Sequence, residues 1–378
     1  MHLICLVGHV SSDLVSPLFD RGFGVTHVTL LYDSALSEAI QHVAAVCRQA
    51  GVATTALPLR PRYDPATIRE RLEAVIVGSR QPCLLNLAGA TAVQAAIGMQ
   101  VAEAQRLPAF AIEPEADTLV WLSRPEGAPL ANGYNIADTM RLEDYFRLYG
   151  AAVVSSESRL DKRNPALEAW AGEMARLAVR QPRTILALNA LASEVDAQRV
   201  TLGRLHQRQP QLEALLADSG LARVLPDRRI AFADVSAHRF LHGAWLERWI
   251  FAQASALMGE LPIQDLASGI RIRVDGLVDN EYDVAILCNN QLYLIECKTV
   301  FGRGVDRDTL FKLDSVTHIA GLSAEAMLAS LSLPTEHEID RAGAHDIALL
   351  SGSALLQATT VLRRWLSGQP AEASRSSA

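Results

Sequence analysis

Over about its first 120 residues the chain alternates short apolar runs with stretches of helical spacing, the pattern of an α/β domain with a mainly parallel sheet. Strands are expected at Leu3 to Val7, Val25 to Tyr32, Val52 to Leu57, Cys83 to Leu87 and Pro108 to Ile112. Helices are expected between them at Ala35 to Gln49, Pro65 to Gly78 and Ala92 to Arg106. From Asp117 to Asp234 the pattern changes. Thr118 to Leu122 fits a short added strand, and Leu142 to Tyr149 is helical and rich in aromatics. Asn164-Pro165 opens a helix to about Val179, followed by helical stretches at Arg183 to Asp196 and Gln211 to Ser219. Leu221 to Phe232, turning at Pro226-Asp227, reads as a small hairpin. Helices followed by a hairpin are similar to a winged helix, which serves DNA binding or dimerisation; here they are read as a connector.

From His238 the chain settles into one unit. Phe240-Leu241-His242-Gly243-Ala244-Trp245-Leu246-Glu247 starts a helix to about Met258. Strands follow at Arg271 to Val274, Tyr282 to Cys288 and Gln291 to Thr299, then a helix from Arg307 to Thr317, a strand at Ala344 to Leu350 and a closing helix from Ser353 to Leu366. The expected domains are therefore 1–150, a connector 151–235, a carboxy-terminal unit 236–368, and a Ser/Ala/Pro-rich disordered tail, 369–378.

The stretch Asn280 to Thr299 carries the chemistry. Asn289-Asn290 suits a tight hairpin turn, because Asn tolerates positive φ. That turn sets the register, with Cys288 facing Gln291, Asp283 facing Glu296 and Glu281 facing Lys298, all four charges on one face. Two opposed carboxylates among Val, Ile, Leu and Tyr repel and lose hydration. A divalent cation, Mn²⁺ or Mg²⁺, held by Asp283 and Glu296 beside the Lys298 ammonium relieves this; a surface salt-bridge ladder is the plainer alternative.

Composition narrows the choice. With 49% hydrophobic and 20% charged residues the 378-residue chain is globular, and its length fits two or three domains. A net charge of −7 supplies no global field for nucleic acid, so any polyanion site is local. Cys5, Cys47, Cys83, Cys288 and Cys297 lack CxxC spacing and read as reduced thiols of a cytoplasmic protein. Neither a signal peptide nor a membrane-spanning run is expected.

In a parallel sheet, ligands bind beyond the carboxyl ends of the strands where the strand order reverses. Two loops there are suggestive, Gly8-His9-Val10-Ser11-Ser12-Asp13 and Asn86-Leu87-Ala88-Gly89-Ala90-Thr91. Small and hydroxyl residues at a helix N-terminus suit a phosphate, although Ser12 and Thr91 as plain helix caps fit equally well. The expected ligand set is His9, Ser11, Ser12, Asn86, Gly89, Ala90 and Thr91, with Asp33 ending the second strand. Neither GxGxxG nor GxxxxGK[ST] occurs, which disfavours a dinucleotide-dependent oxidoreductase.

The acid followed by Glu-x-Lys resembles the PD-(D/E)xK motif of restriction-type nucleases. With FLHGAWLE, NEYDV, LIECK and FKLD in order behind a Rossmann-like domain, the chain resembles the CARF-domain nucleases of type III CRISPR immunity, activated by cyclic oligoadenylate. The likeness is strongest over Phe240 to Ser315, and Gly89-Ala90-Thr91-Ala92 departs from the family's Gly-Gly-Thr-Lys run. It implies a Rossmann-like sensor, a connector and a restriction-endonuclease-like domain. It further implies Asp283, Glu296 and Lys298 as catalytic, Glu247 and Glu281 as supporting acids, and the carbonyl of Cys297 as a third metal ligand. Cyclic tetra-adenylate is the implied activator, DNA and/or RNA the substrate, and a homodimer the implied assembly. Arg303 and Lys312 approach a phosphate or are surface charges. A non-catalytic sensor that keeps the nuclease fold is the alternative.

Overall fold

The computed structural model describes residues 1–61, 64–113, 117–124, 130–137, 139–274, 276, 278–299 and 324–369, with 278 and 279 described by their main chain. The expected helix from Arg307 to Thr317, the FKLD run, Arg303, Lys312 and nearly all of the expected tail lie outside the described residues.

Strand β1 (His2–Val7) is buried at all six positions, as a central strand covered on both faces must be. Around it follow α1 (Ser16–Phe19), β2 (His27–Asp33), α2 (Ser37–Gln49), β3 (Ala53–Leu59), α3 (Pro65–Gly78), β4 (Cys83–Asn86), α4 (Ala92–Gln105), β5 (Ala109–Glu113) and β6 (Thr118–Ser123). The sheet order is β3-β2-β1-β4-β5-β6, parallel except for β6. Alternate residues of β1 serve two cores. Leu3, Cys5 and Val7 pack with Val43 and Val46 of α2, while Ile4 and Leu6 pack with Ile68 of α3 and Val101 of α4. Chain order reverses between β1 and β4, which sets the loops after these strands side by side.

The rest of the chain runs α5 (Leu142–Leu148), β7 (Ala151–Ser155), β8 (Ser158–Arg159), α6 (Pro165–Arg180), α7 (Pro182–Ala192), α8 (Pro210–Ser219), β9 (Ala222–Val224), β10 (Ile230–Phe232), α9 (Val235–Arg239) and α10 (Trp245–Ser255). It continues with β11 (Ile263–Val274), β12 (Val278–Cys288), β13 (Gln291–Lys298), β14 (Ala324–Ser330), α11 (Glu336–Ala344), β15 (Ile347–Ser351) and α12 (Ala358–Leu366). Strands β7 and β11 to β15 form a second sheet, ordered β15-β14-β13-β12-β11-β7, with β8 also on β11. One face packs against the amino-terminal domain, where Tyr282 stacks on Phe146 of α5 at 5.9 Å. The other face carries α6, α7, α8, α10 and α12, which share a single core with Val284, Ile286 and Ile295. The fold is thus an α/β Rossmann-like sheet followed by a mixed sheet of restriction-endonuclease type.

Four features differ from the sequence expectation. Strand β14 reads as AEAMLAS, and Ala and Glu are weak strand formers, yet it is inserted parallel between β13 and β15 and buried from Ala326 to Ser330. Helix α11 was also unmarked. The expected helix from Phe240 to Met258 is broken into α9, a wider turn over Phe240–Ala244, and α10. A Cβ on Gly243 would stand 2.9 Å from the Thr299 hydroxyl, so glycine lets this turn approach the end of β13. Residues 151–159, expected as the start of a connector, complete the second sheet by pairing with β11.

Two buried polar clusters pin the sheets together. Asp265 on β11 accepts from Leu142 N at 2.9 Å and from Arg159 Nη2 at 2.8 Å. At the tip of the β12–β13 hairpin, Asn290 Nδ2 donates to buried Asp117 at 2.5 Å, and Gln264 Nε2 donates to Asn290 Oδ1 at 2.7 Å.

Candidate functional sites

Asn289 and Asn290 both adopt φ of 54°, as the two-residue turn requires, and the ladder pairs Cys288 with Gln291 through Val284 with Ile295. Past that pair Cys297 N donates to Asp283 Oδ2 at 2.6 Å, a side chain taking the place of a ladder acceptor. Lys298 Nζ donates to Glu296 Oε1 at 2.7 Å. The expected single face for all four charges is not kept. Tyr282 joins the core on the amino-terminal side with Ala285, whereas Val284 joins the opposite core, so alternation breaks at Asp283. On β11 the matching break falls at Gly269 (φ 56°), between Ala267 and Ile270. Glu281 consequently pairs with Arg239 at 2.7 Å and Arg271 at 2.9 Å, while the Lys298 ammonium goes to Glu296.

Negative charge accumulates around this break. Burial, then the charges of Asp283, Glu157 and Glu281, push the Glu247 carboxyl up to about 9 against the opposing pull of Arg239. Burial alone would lower the Lys298 pKa; Glu296, by charge and hydrogen bond, and Asp283 outweigh it and raise the value. Burial, with Asp283, Glu247 and Glu296, holds the Cys297 thiol far above its ordinary range, which leaves its carbonyl rather than its sulfur to serve a hard cation.

Among the described residues no three His, Cys, Asp or Glu side chains stand grouped to enclose a metal ion. The expected set is smaller, two carboxylates and one main-chain carbonyl, and the residues fit it. Acids this crowded, with one carboxyl held protonated near neutrality, are the environment a divalent cation relieves.

Two contributors were missed by sequence reasoning. Glu157, in the turn between β7 and β8, pairs with Arg239 at 2.5 Å and lies against Gly269, whose Cβ would come within 2.5 Å of its Cγ. Arg239, at the end of α9, bridges Glu157 and Glu281. Neither has a local signal, because Glu157 reaches the site only through the pairing of β8 with β11.

At the other end of the chain the two loops do meet. Gly89 O accepts from Gly8 N at 2.7 Å and from His9 N at 3.1 Å. A Cβ on Gly8 would come within 2.2 Å of Thr91 Cγ2, and one on Gly89 within 2.9 Å of His9 O, so both positions need glycine for this approach. Four of the polar side chains, those of Ser11, Asp33, Asn86 and Thr91, are already engaged. Thr91 and Gln94 form a reciprocal capping box on α4. Asn86 bonds Asp13 O and Ala88 N, Ser11 Oγ donates to Asp13, and Asp33 caps Ala35 N. Asp33 follows Tyr32, the partner of Val7, and so shares the edge with Gly8; Ser12 opens the short turn Ser12–Leu14, and Ala90 N bonds Leu87 O. The capping box satisfies the amides of Thr91 and Gln94 and leaves those of Ala92 and Val93 as the first-turn donors.

Fold and sites together define a two-part protein, a Rossmann-like sheet with a glycine-tightened loop pair and a nuclease-type sheet with an acid/Glu-x-Lys hairpin. Residues 234–368 match the family model described as Card1-like, endonuclease domain. No curated protein matches the chain. Among solved structures it is similar to protein VC1899 from Vibrio cholerae (24% identity, TM-score 0.83, 97% of this chain and 98% of that one). It is also similar to Can2 from Sulfobacillus thermosulfidooxidans in complex with cyclic tetra-adenylate (20% identity, TM-score 0.77, 97% of each chain). A type III CRISPR defence DNA nuclease activated by cyclic oligoadenylate matches at 16% identity and TM-score 0.58, over 89% of this chain and 47% of that one. These likenesses support the resemblance to CARF-domain effector nucleases. Among the described residues no helix is long and apolar enough to cross a membrane.

Proposed function

We propose that the chain is a metal-dependent nuclease of type III CRISPR defence, acting as a homodimer in which the amino-terminal loops bind cyclic tetra-adenylate. The observation that carries this reading is the crowding of Glu247 and Asp283 beside the Glu296–Lys298 pair. Asp283, Glu296 and the Cys297 carbonyl would hold Mn²⁺ or Mg²⁺. The bound ion supplies charge neutralisation at the phosphate and a lowered pKa for an attacking water. Lys298, kept charged and directed by Glu296, orients that water and stabilises negative charge developing on the phosphate oxygens. Glu281, fixed by Arg239 and Arg271, braces the strand beside Asp283. Glu247, its carboxyl pushed up by burial and by Asp283, is the supporting acid whose charge a bound cation would favour.

In the amino-terminal domain the first-turn amides of α4 face a phosphate, and close approach at Gly8 and Gly89 brings main chain, rather than side chains, to the ligand. A two-fold cyclic ligand is read by two copies about a shared axis. Activation then requires tighter binding to the cleavage-competent arrangement than to the resting one. The test is nicking of a plasmid and cutting of labelled RNA with Mn²⁺, with and without cyclic tetra-adenylate. Cleavage that needs both is expected; cleavage of neither nucleic acid under any of these conditions refutes the assignment.

A further inference from the structure

We propose that the small hairpin sheet between α7 and α9 is a docking surface for the phosphate backbone of the nucleic acid, held there beside the catalytic hairpin. This deepens the nuclease reading and rests on it for the identity of the polyanion. Between Arg199 and Ile230 lie six arginines and three carboxylates, a local excess of positive charge in a chain of net charge −7.

The geometry turns that excess outward. Residues 199–205 run along β10, with Phe232 N on Arg199 O at 3.0 Å, Thr201 N on Ile230 O at 2.9 Å and Leu205 N on Arg228 O at 3.0 Å. With β9 on the other side of β10 this makes a three-stranded wing. Its inner residues, Leu205, Ala222, Ile230 and Phe232, are buried in the core shared with the second sheet. Arg223, between buried Ala222 and half-buried Val224, is exposed, as are Arg204, Arg208 and Arg228.

Several arginines outside the wing are taken up by acids. Arg159, Arg163, Arg176, Arg239, Arg271 and Arg363 each hold a carboxylate. Arg204, Arg208 and Arg223 form no ion pair among the described residues, and the one acid at the tip, Asp227, is taken by Arg229. Exposed guanidinium groups that form no ion pair, carried on the two segments that flank β10, suit a repeating phosphate, which they bind through charge-assisted, sequence-independent contacts.

The wing is also continuous with the catalytic site. Phe232 packs edge-on against His238 at 4.9 Å, and the next residue, Arg239, pairs with Glu281. Asn189 of α7 donates to Thr299 O, one residue past Lys298, at 2.9 Å. The wing is thus joined to the acid-bearing hairpin through α7 and α9.

The test measures binding of a fluorescein-labelled 30-mer, single- and double-stranded, to the full chain in EDTA, where no cleavage occurs. The parent is expected to bind with a steep salt dependence. Arg204→Gln/Arg208→Gln/Arg223→Gln should weaken binding at least ~10-fold and flatten the log–log salt slope by about 2 to 3, near 0.9 per lost duplex phosphate contact. The Lys triple at the same positions restores both, because a point charge suffices. Unchanged affinity and slope in the Gln triple, no binding by the parent, or loss that Lys fails to rescue each overturns the proposal. So does poly-glutamate competing as well as the oligonucleotide at equal charge, which assigns the wing to an acidic protein. A parent that binds through the wing but cuts nothing leaves the docking surface standing and removes the nuclease reading instead.

Discussion

The two candidate sites solve opposite problems. At the loops after β1 and β4 the Ser11, Asp33, Asn86 and Thr91 side chains each have a structural task, and main-chain amides and glycine clearances remain for a ligand. At the β12–β13 hairpin the main chain is paired through Val284 and Ile295, and the side chains are left in conflict, with Glu247 forced toward neutrality by burial and by its acidic neighbours. A site that closes on a preformed, rigid nucleotide can afford to be fully bonded beforehand, whereas a site that holds a cation keeps its charges unreconciled until the cation arrives. Substitution should therefore act differently at the two ends.

The largest effect is expected at the crowded site. Glu296→Gln or Asp283→Asn should lower cleavage at least ~10²- to 10³-fold, the scale for losing a group that stabilises developing charge. Because Asp283→Asn removes a charge that repels Glu247, its melting temperature without metal should stay level or rise, whereas Glu296→Gln also gives up the ion pair with Lys298; full activity in either variant contradicts the assignment. Lys298→Ala should cost as much cleavage yet keep Mn²⁺ binding by calorimetry, since the ammonium lies beside the ion and is not a ligand.

At the bonded site Thr91→Glu should abolish cyclic tetra-adenylate binding by calorimetry through repulsion of the phosphates, and cleavage should lose its response to the activator. Thr91→Ser keeps the cap and should bind as the parent does. Equal binding by Thr91→Glu breaks the comparison, because it removes the phosphates from the α4 N-terminus. A smaller effect belongs to the contact between the two halves. Asn290→Ala leaves buried Asp117 without its amide partner and should cost about 1–3 kcal/mol in denaturant unfolding.

The smallest effect sharpens the contrast, because the amino-terminal domain also holds a group in its neutral form, without crowded like-charged side chains at a cation site. Burial first, then His27 and the chain terminus, lower the His2 pKa to about 4, and its ring bonds Ser79 and Thr29 instead of an acid. The unfolded chain takes up this proton below about 6.5 and the folded chain only near 4. The contribution of His2 is thus complete above 6.5 and lost as pH falls toward 4. His2→Gln should flatten the decline of melting temperature across that window, and an unchanged decline would contradict the role.

Much of this was legible in the sequence. The parallel strands were visible as apolar runs, the hairpin register followed from Asn289-Asn290, and the meeting of Gly8 with Gly89 followed from the rule for strand-order reversal. What escaped was non-local or compositionally disguised. Strand β14 is spelled in alanine and glutamate, and only its place between two strands makes it extended. Glu157 enters the site through sheet pairing with a strand about 110 residues away, and Arg239 through an ion pair to Glu281 about 40 residues away, distances over which spacing carries no signal. The break at Gly269 and Asp283 is a twist of two strands together, and period-2 alternation cannot report it.

The hairpin that carries Glu296 is clamped at its far end by Asp117 and Gln264. Six residues of strand from Asn290 to Glu296 make an arm of about 20 Å. If the first sheet rotates against the second, either the Asn290 contact breaks or the arm swings. A swing of about 3° carries the far end through about 1 Å, and an error of that size in the placement of a reacting group costs on the order of 10²-fold in rate. Movements too slight to separate the two halves of the molecule are thus large on the scale of the reaction.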